Sequence, residues 1–515
     1  MSHWFLFVRR FAIFCHRWMG VVFCLLFTWW FVSGIFMMYW DFPALRDADR
    51  LSHAQLLDAS RIRVSPQQAY RALGLDFPPD QVHLAMFDGR PAYWFGAIPD
   101  QVIVYADDGR VQDGYPPELN LRTAAAWTGH SDQTQPANRP KVEEIREPDQ
   151  WTVAEPLRDL RPLFKYSWPD GQQVYVAQSS GQVMQYTTRA SRLGAYLGPI
   201  PHWLVFTPLR KNGELWSRIV IWLSAIGTLM AISGLVVGVL VYSPSRRYRY
   251  QGKPAGIPYS GTKRLHVIFG LFFGIVAFTW AFSGMLSMEP FPALASGRPA
   301  QHTEDRISQS LRGQSIELGP FSERLPAMAM AAAPPNLKVK KLELVSFVGD
   351  PAYIGRAAID REAGDQVGSW VVPVRGVPAA VFDHNRIVET IRKAVEPATL
   401  AEVRTVAEYE SYYVDRKGEL PLPVLFVGIA GKKNGDGGAG YYVDPRTARI
   451  VARRNPGGWF SRWLYHGLHS LDFPWLYNHR PAWDIVVLLL LAGGTMLSVT
   501  SAIIGWKLLQ RKIAA

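Results

Sequence analysis

Residues 261–289 read GTKRLHVIFGLFFGIVAFTWAFSGMLSME: a basic flank, then His266, then an apolar run of membrane-crossing length that closes on Ser283-Gly284. The pattern occurs twice. Near the start of the chain Arg9, Arg10 and Arg17 flank His16, and the run 20–40, GVVFCLLFTWWFVSGIFMMYW, closes on Ser33-Gly34. The step from His16 to Ser33 equals the step from His266 to Ser283, with Thr28-Trp29-Trp30 and Thr279-Trp280 at nearly matching places between. A second kind of membrane segment is duplicated as well. His202 is followed by Phe206, Trp216, Gly227-Thr228, Ser233 and Gly238; His469 is followed, step for step, by Phe473, Trp483, Gly494-Thr495, Thr500 and Gly505. The chain is one two-helix module written twice, with one histidine beside each membrane helix.

Composition agrees. Of 515 residues 48% are hydrophobic, with 19 Trp, and the apolar residues are concentrated in four runs, about 11–40, 216–242, 265–288 and 482–507. Each is long enough to cross roughly 30 Å of hydrocarbon, which takes about 20 helical residues. The first is too long and aromatic for a cleaved leader, and is expected to be a retained anchor. Arg246, Arg247, Arg249, Lys253, Lys263 and Arg264 crowd the short connection between the second and third runs, which holds no acid. With Arg9, Arg10 and Arg17 at one end and Lys507, Arg511 and Lys512 at the other, the positive-inside rule places both termini and this connection in the cytoplasm. The two long segments then lie outside, in the periplasm of a bacterium. The net charge of +12 is in part this topology signal, so a nucleic-acid partner is not implied. The two cysteines, Cys15 and Cys24, sit in or beside the first run, so the outer segments fold without disulfides or thiolate ligands.

The division expected is a first membrane helix in 1–40, an outer region in 41–190, an interfacial helix and second membrane helix in 191–242 and a basic loop in 243–264. A third membrane helix in 265–288, a second outer region in 289–458, and an interfacial helix with the fourth membrane helix in 459–515 complete it. In the first outer region Ser65-Pro66 starts a helix to Leu73. Strands are expected at 81–87, 91–96 and 101–105, then 110–112 after the turn Asp107-Asp108-Gly109, and a hairpin at 173–177 and 182–186. The polar stretch 129–148 reads as a surface loop. The second region repeats the plan, with strands at 337–348, 352–359, 402–413 and 424–429, a helix at 384–395 and a hairpin around Asp444-Pro445-Arg446-Thr447. The Gly-rich segment 432–440 lacks the GK[ST] ending of a phosphate loop and reads as a hairpin loop.

The histidines carry the chemistry. His16 and His266 begin helices that leave the cytoplasm in the same direction, and so share a depth near the inner face. His202 and His469 precede helices entering from outside and share a level near the outer face. Two same-depth pairs on neighbouring helices, with small residues such as Gly20, Gly34, Gly270 and Gly284 at close-packing positions, is what bis-imidazole ligation of two b-type haems requires. Zinc or copper would need three or four convergent ligands. Cys15 adjoins His16, but adjacent residues do not share a helix face. His466, three residues before His469, is a second candidate for the outer ligand; the register of the repeat favours His469, leaving His466 a hydrogen bond to a propionate or a backbone carbonyl. Two haems across a membrane make a path for electrons. No dinucleotide or flavin fold is legible, so the donor is a separate molecule, cytoplasmic or in the membrane.

Taken together, the sequence resembles the PepSY-associated transmembrane family of bacterial inner-membrane proteins. HRWMG and FTWWFVSG around the first run, KRLHVIFG and FTWAFSG around the third, SLDF after His469, and GQVMQY and DPRTARIV in the outer hairpins carry the resemblance over nearly the whole length. It implies a four-helix membrane core with α+β PepSY-like periplasmic domains, and His16, His266, His202 and His469 as axial ligands of two haem b groups. It also implies reduction of a periplasmic ferric siderophore. The outer segments are longer than in compact members, and no reductase flavodomain is fused. Arg210, Lys211, Arg453, Arg454 and Trp459 are candidates to guide an anionic ferric complex or to anchor the chain at the interface. The competing reading is a non-redox membrane protein whose PepSY domains bind peptides or restrain a protease; it has no use for paired histidines.

Overall fold

The computed structural model describes residues 3–98, 100–130, 139–291, 301–358, 368–415, 419–431, 438–455, 458 and 461–513. The chain forms two compact units, one from 1–42, 190–297 and 457–515, the other from 43–189 and 298–456.

The first unit is built on four long helices, His3–Met37, Gly213–Val241, Gly261–Leu286 and Ala482–Ile513. Each contains a stretch apolar enough to cross a membrane. Phe272 is 73% exposed, Leu489 63% and Leu229 59%, an outward apolar surface of the kind a bilayer covers. The first helix packs on the second and fourth, and the third on the second and fourth, so the first and third stand diagonally opposite. The expectation of neighbouring helices for His16 and His266 is thereby corrected: the two rings meet across the bundle axis. Small residues make this packing possible, because a Cβ on Gly227 would stand 2.9 Å from the Phe27 ring and one on Gly274 2.8 Å from Leu235.

Three antiparallel sheets make up most of the second unit. In its first segment β1 (Val82–Phe87), β2 (Arg90–Phe95) and β3 (Val102–Tyr105) form a meander, and β4 (Lys141–Ile145), β5 (Leu163–Ser167), β6 (Gln173–Ala177) and β7 (Val183–Thr187) a separate sheet. A small hairpin, β8 (Tyr248–Tyr250) and β9 (Lys253–Ala255), belongs to the basic connection of the membrane unit. The second segment of this unit gives β10 (Lys341–Phe347), β11 (Asp350–Arg356) and β12 (Ser369–Pro373), then β13 (Leu400–Val406), β14 (Val424–Ile429), β15 (Gly440–Asp444) and β16 (Arg449–Arg454). The two meanders join. β1 pairs antiparallel with β10, Val82 opposite Leu344 and Leu84 opposite Leu342, giving one six-stranded sheet in the order β12-β11-β10-β1-β2-β3. Each meander covers the edge the other would leave open. Val82, Leu84, Leu342 and Leu344 share one core with Tyr93, Phe321 and Tyr353.

Local signals place most of these elements. Ser65 accepts from the Gln68 N–H and Gln68 returns the bond, a capping box that starts the helix Pro66–Arg71. Residues 110–112 contribute only a bridge, Val104 to Val111. The stretch 129–148, expected to be a loop, instead holds β4. Its sequence KVEEI is an exposed, charged edge strand, so it carries no apolar alternation to detect. The helices Pro117–Thr128 and Gln301–Arg312 were also not expected. The Gly-rich segment falls mostly outside the described residues.

Glu343, on the second face of the central sheet, is 4% exposed. Arg356 (3.2 Å), Arg449 (3.3 Å) and Lys341 (3.4 Å) converge on it. Burial alone would raise its pKa; the cations Lys341, Arg449, Arg356 and Arg312 outweigh that and hold it well below the ordinary value. A depressed folded pKa means the stabilisation is present above about pH 4.5, the ordinary glutamate value, and is lost as the pH falls below it. Glu343→Gln should therefore destabilise the second unit at neutral pH by roughly 3 kcal/mol, the order of a broken buried ion pair. Urea unfolding of the full chain in detergent, followed by far-UV circular dichroism, should show the gap to wild type closing as the pH drops through 4.

Candidate functional site

Each of the four duplicated histidines lies inside the bundle or at its end, held through Nδ1. His16 Nδ1 lies 3.3 Å from the Met230 carbonyl and 3.5 Å from Ser233 Oγ. His266 Nδ1 lies 3.3 Å from the Leu497 carbonyl and 3.2 Å from Thr500 Oγ1. Ser233 and Thr500 are the same position of the repeat. At the other end His202 Nδ1 is 3.1 Å from the Trp30 carbonyl and 3.0 Å from Ser33 Oγ. His469 Nδ1 is 3.0 Å from Ser283 Oγ. A carbonyl oxygen only accepts, so Nδ1 of His16, His202 and His266 carries the proton and the lone pair is on Nε2. That is the tautomer of a metal-binding imidazole with its outer nitrogen anchored.

The rings then meet in two pairs. The centres of His16 and His266 are 6.2 Å apart and those of His202 and His469 are 6.0 Å apart. Two imidazoles bound end-on to one first-row metal at about 2 Å per bond have ring centres roughly 6 Å apart. From His16 to Ser33 the first membrane helix rises roughly 25 Å at about 1.5 Å per residue, so the two pairs are separated by most of a bilayer. Phe31 and Trp280, 5.7 Å apart, lie near the second pair, Trp280 being 6.5 Å from His469.

Around the inner pair is a cavity of about 250 Å³ whose walls include Gly20, Gly234, Gly270 and Gly274, with Arg17 and Lys263 also lining it. A Cβ on Gly234 would stand 2.6 Å from His16 Cε1; one on Gly284 would be 3.6 Å from His469 Cε1 and one on Gly34 3.8 Å from His202 Cε1. Among the described residues no group of three or more His, Cys, Asp or Glu side chains is placed to hold a metal. The residues fit a planar group ligated from both faces, and not a three-ligand ion site.

The outer histidines are set by one local device used twice. His202 lies in the short helix Pro199–Trp203, which Leu204 ends with φ +54°; His469 lies in Leu468–Ser470, which Leu471 ends with φ +52°. A left-handed leucine costs on the order of 1–2 kcal/mol, so packing must impose the turn. Trp216 Nε1 donates to the Trp203 carbonyl (2.9 Å), and Trp483 Nε1 to those of Ser470 (3.1 Å) and Leu471 (3.2 Å). These repeat-matched tryptophans clamp the turn behind each histidine. His466 faces elsewhere: its Nδ1 is 4.0 Å from Asp472 and its side chain is half exposed, while His469 is the ring brought to His202.

A family model described as PepSY-associated TM region matches residues 14–507. The chain belongs to the PepSY-associated transmembrane family. No curated protein matches it. Within this PepSY-associated membrane protein, the candidate guides for an anion belong to both units. Arg453 pairs with Glu304 at 2.8 Å, Arg454 lies over the Phe426 ring at 4.6 Å, both in the second unit, and Arg210 covers Trp216 at 4.6 Å. Trp459 lies outside the described residues. Sequence reading named the four histidines and quoted Ser33, Ser233, Ser283 and Thr500 only as landmarks of the repeat; it assigned the rings neither these hydroxyls nor the carbonyls of Trp30, Met230 and Leu497. The matched steps from His16 to Ser33 and from His202 to Ser233 were the available signal.

If the inner site is as tight as it stands, Gly234→Ala displaces the His16 ring and costs about 1–3 kcal/mol, the range for overpacking a filled site. Gly20→Ala, whose Cβ would meet only Ser501 at 3.6 Å, should be neutral. Thermal melting of the two variants in detergent separates these outcomes.

Proposed function

We propose that this chain is a dihaem b electron-transfer protein of the bacterial inner membrane that reduces a periplasmic ferric complex, a ferric siderophore in the first instance. The single observation behind it is the twice-repeated pair of imidazoles, anchored at Nδ1 and about 6 Å between ring centres. His16 with His266 would hold one haem and His202 with His469 the other, and a bound haem supplies a reversible one-electron carrier in each site.

The chain's own groups do the rest. Anchored Nδ1–H groups hold the imidazoles in orientation and raise their basicity as ligands. Arg17 and Lys263 give the inner cavity the positive charge that propionate carboxylates need. Apolar side chains between the sites exclude water and ions, so only electrons have a low-cost route through the hydrocarbon. The basic connection and termini argue for a cytoplasmic inner end, with the donor there or in the membrane. Reduction to Fe(II) weakens binding by hard oxygen ligands and would release the iron from its chelator.

Oxidised and dithionite-reduced absorption spectra of the purified chain, with pyridine haemochrome quantitation, test this. About two low-spin b haems per chain are expected. His16→Ala and His266→Ala should remove one, and His202→Ala and His469→Ala the other, while His466→Ala keeps both. A colourless protein from cells that load control haem proteins would sink the redox reading and leave a PepSY binding or regulatory protein.

A further inference from the structure

The outer unit contains a second, unrelated cavity of about 510 Å³ on the polar face of the central sheet, where β1 meets β10. Its volume is in the range of small-molecule sites. His83, Trp94, Lys341 and Arg356 come from the sheet; the helices Asp47–His53 and Pro117–Thr128 contribute His53 and Trp127.

Charge and shape both restrict what it can hold. Five cations line the cavity, Arg50, Arg122, Lys340, Lys341 and Arg356, against two acids, Asp47 and Asp88. Asp88 is fully engaged by Arg122, at 2.8 and 2.7 Å. Lys341 and Arg356 share the single carboxylate of Glu343 with Arg449, so that cluster retains positive charge. Lys340 Nζ donates to the Ser52 carbonyl at 2.7 Å and has no carboxylate partner among the described residues. Aromatic planes accompany this charge. His83 stacks on Trp94 (5.6 Å, 6° between planes) and His53 on Trp127 (4.3 Å, 6°). The His83 ring nitrogens have no hydrogen-bond partner among the described residues. Burial, and then Lys341, push its pKa well below the ordinary value, so it stands neutral beside the lysine.

An anion is favoured by the cation excess, an aromatic one by the stacked walls. We propose that this cavity binds a small aromatic carboxylate of the salicylate type, with Lys341 and Lys340 as carboxylate partners and the Trp94 and Trp127 pairs flanking the ring. The proposal rests on the outer unit alone and does not require haem.

Isothermal titration of the full chain in detergent with salicylate, benzamide and acetate tests it. Salicylate should bind with a micromolar to low-millimolar Kd; benzamide, a neutral ring, and acetate, an anion without one, should each be at least about tenfold weaker. Lys341→Met, Lys340→Ala and Trp127→Leu should each weaken salicylate by about five- to tenfold. If Lys341→Met loses the wild-type unfolding transition, Lys340→Ala and Trp127→Leu decide. No measurable salicylate binding, equal binding of all three probes, or salicylate binding unchanged in the folded variants would each overturn the proposal.

Discussion

A histidine ring inside a bundle of apolar helices is tolerable only if its polar atoms are answered. Here the answer is the same each time: Nδ1 is engaged by a serine or threonine hydroxyl of another helix, joined at His16, His202 and His266 by a backbone carbonyl. In hydrocarbon no water competes for that bond, and an unanswered nitrogen would cost several kcal/mol. The anchor also decides which nitrogen is left to bind. The helix packing, the glycines beside the rings and the left-handed turns after His202 and His469 all serve to put the rings where these bonds can form.

The duplication explains why the site comes in pairs. Two copies of a two-helix module, related by an approximate two-fold, bring equivalent residues together: His16 with His266, His202 with His469. The second unit obeys the same logic. Its two meanders pair through β1 and β10, and the seam brings one buried carboxylate among several cations. The equivalence is incomplete. The repeat gives His466 no counterpart beside His202.

Much of this was legible beforehand, for definite reasons. Membrane helices announce themselves by run length, and the repeat by fixed steps between rare residues. The capping box at Ser65 and the strand pattern at 424–429 are local signals that the fold obeys. What escaped were elements whose signal is not local: the charged edge strand 141–145, and the helix 117–128, which becomes amphipathic only relative to the sheet it covers.

Sequence by itself determined the four spans and which four histidines are equivalent in the repeat, because these depend on composition and spacing along one chain. Only the tertiary structure decided that the first and third helices are diagonal, that His469 and not His466 meets His202, and that backbone carbonyls fix three tautomers. Such facts depend on how side chains from distant segments share one volume. A carbonyl looks the same at every residue, and nothing in a sequence marks the one that will face a ring.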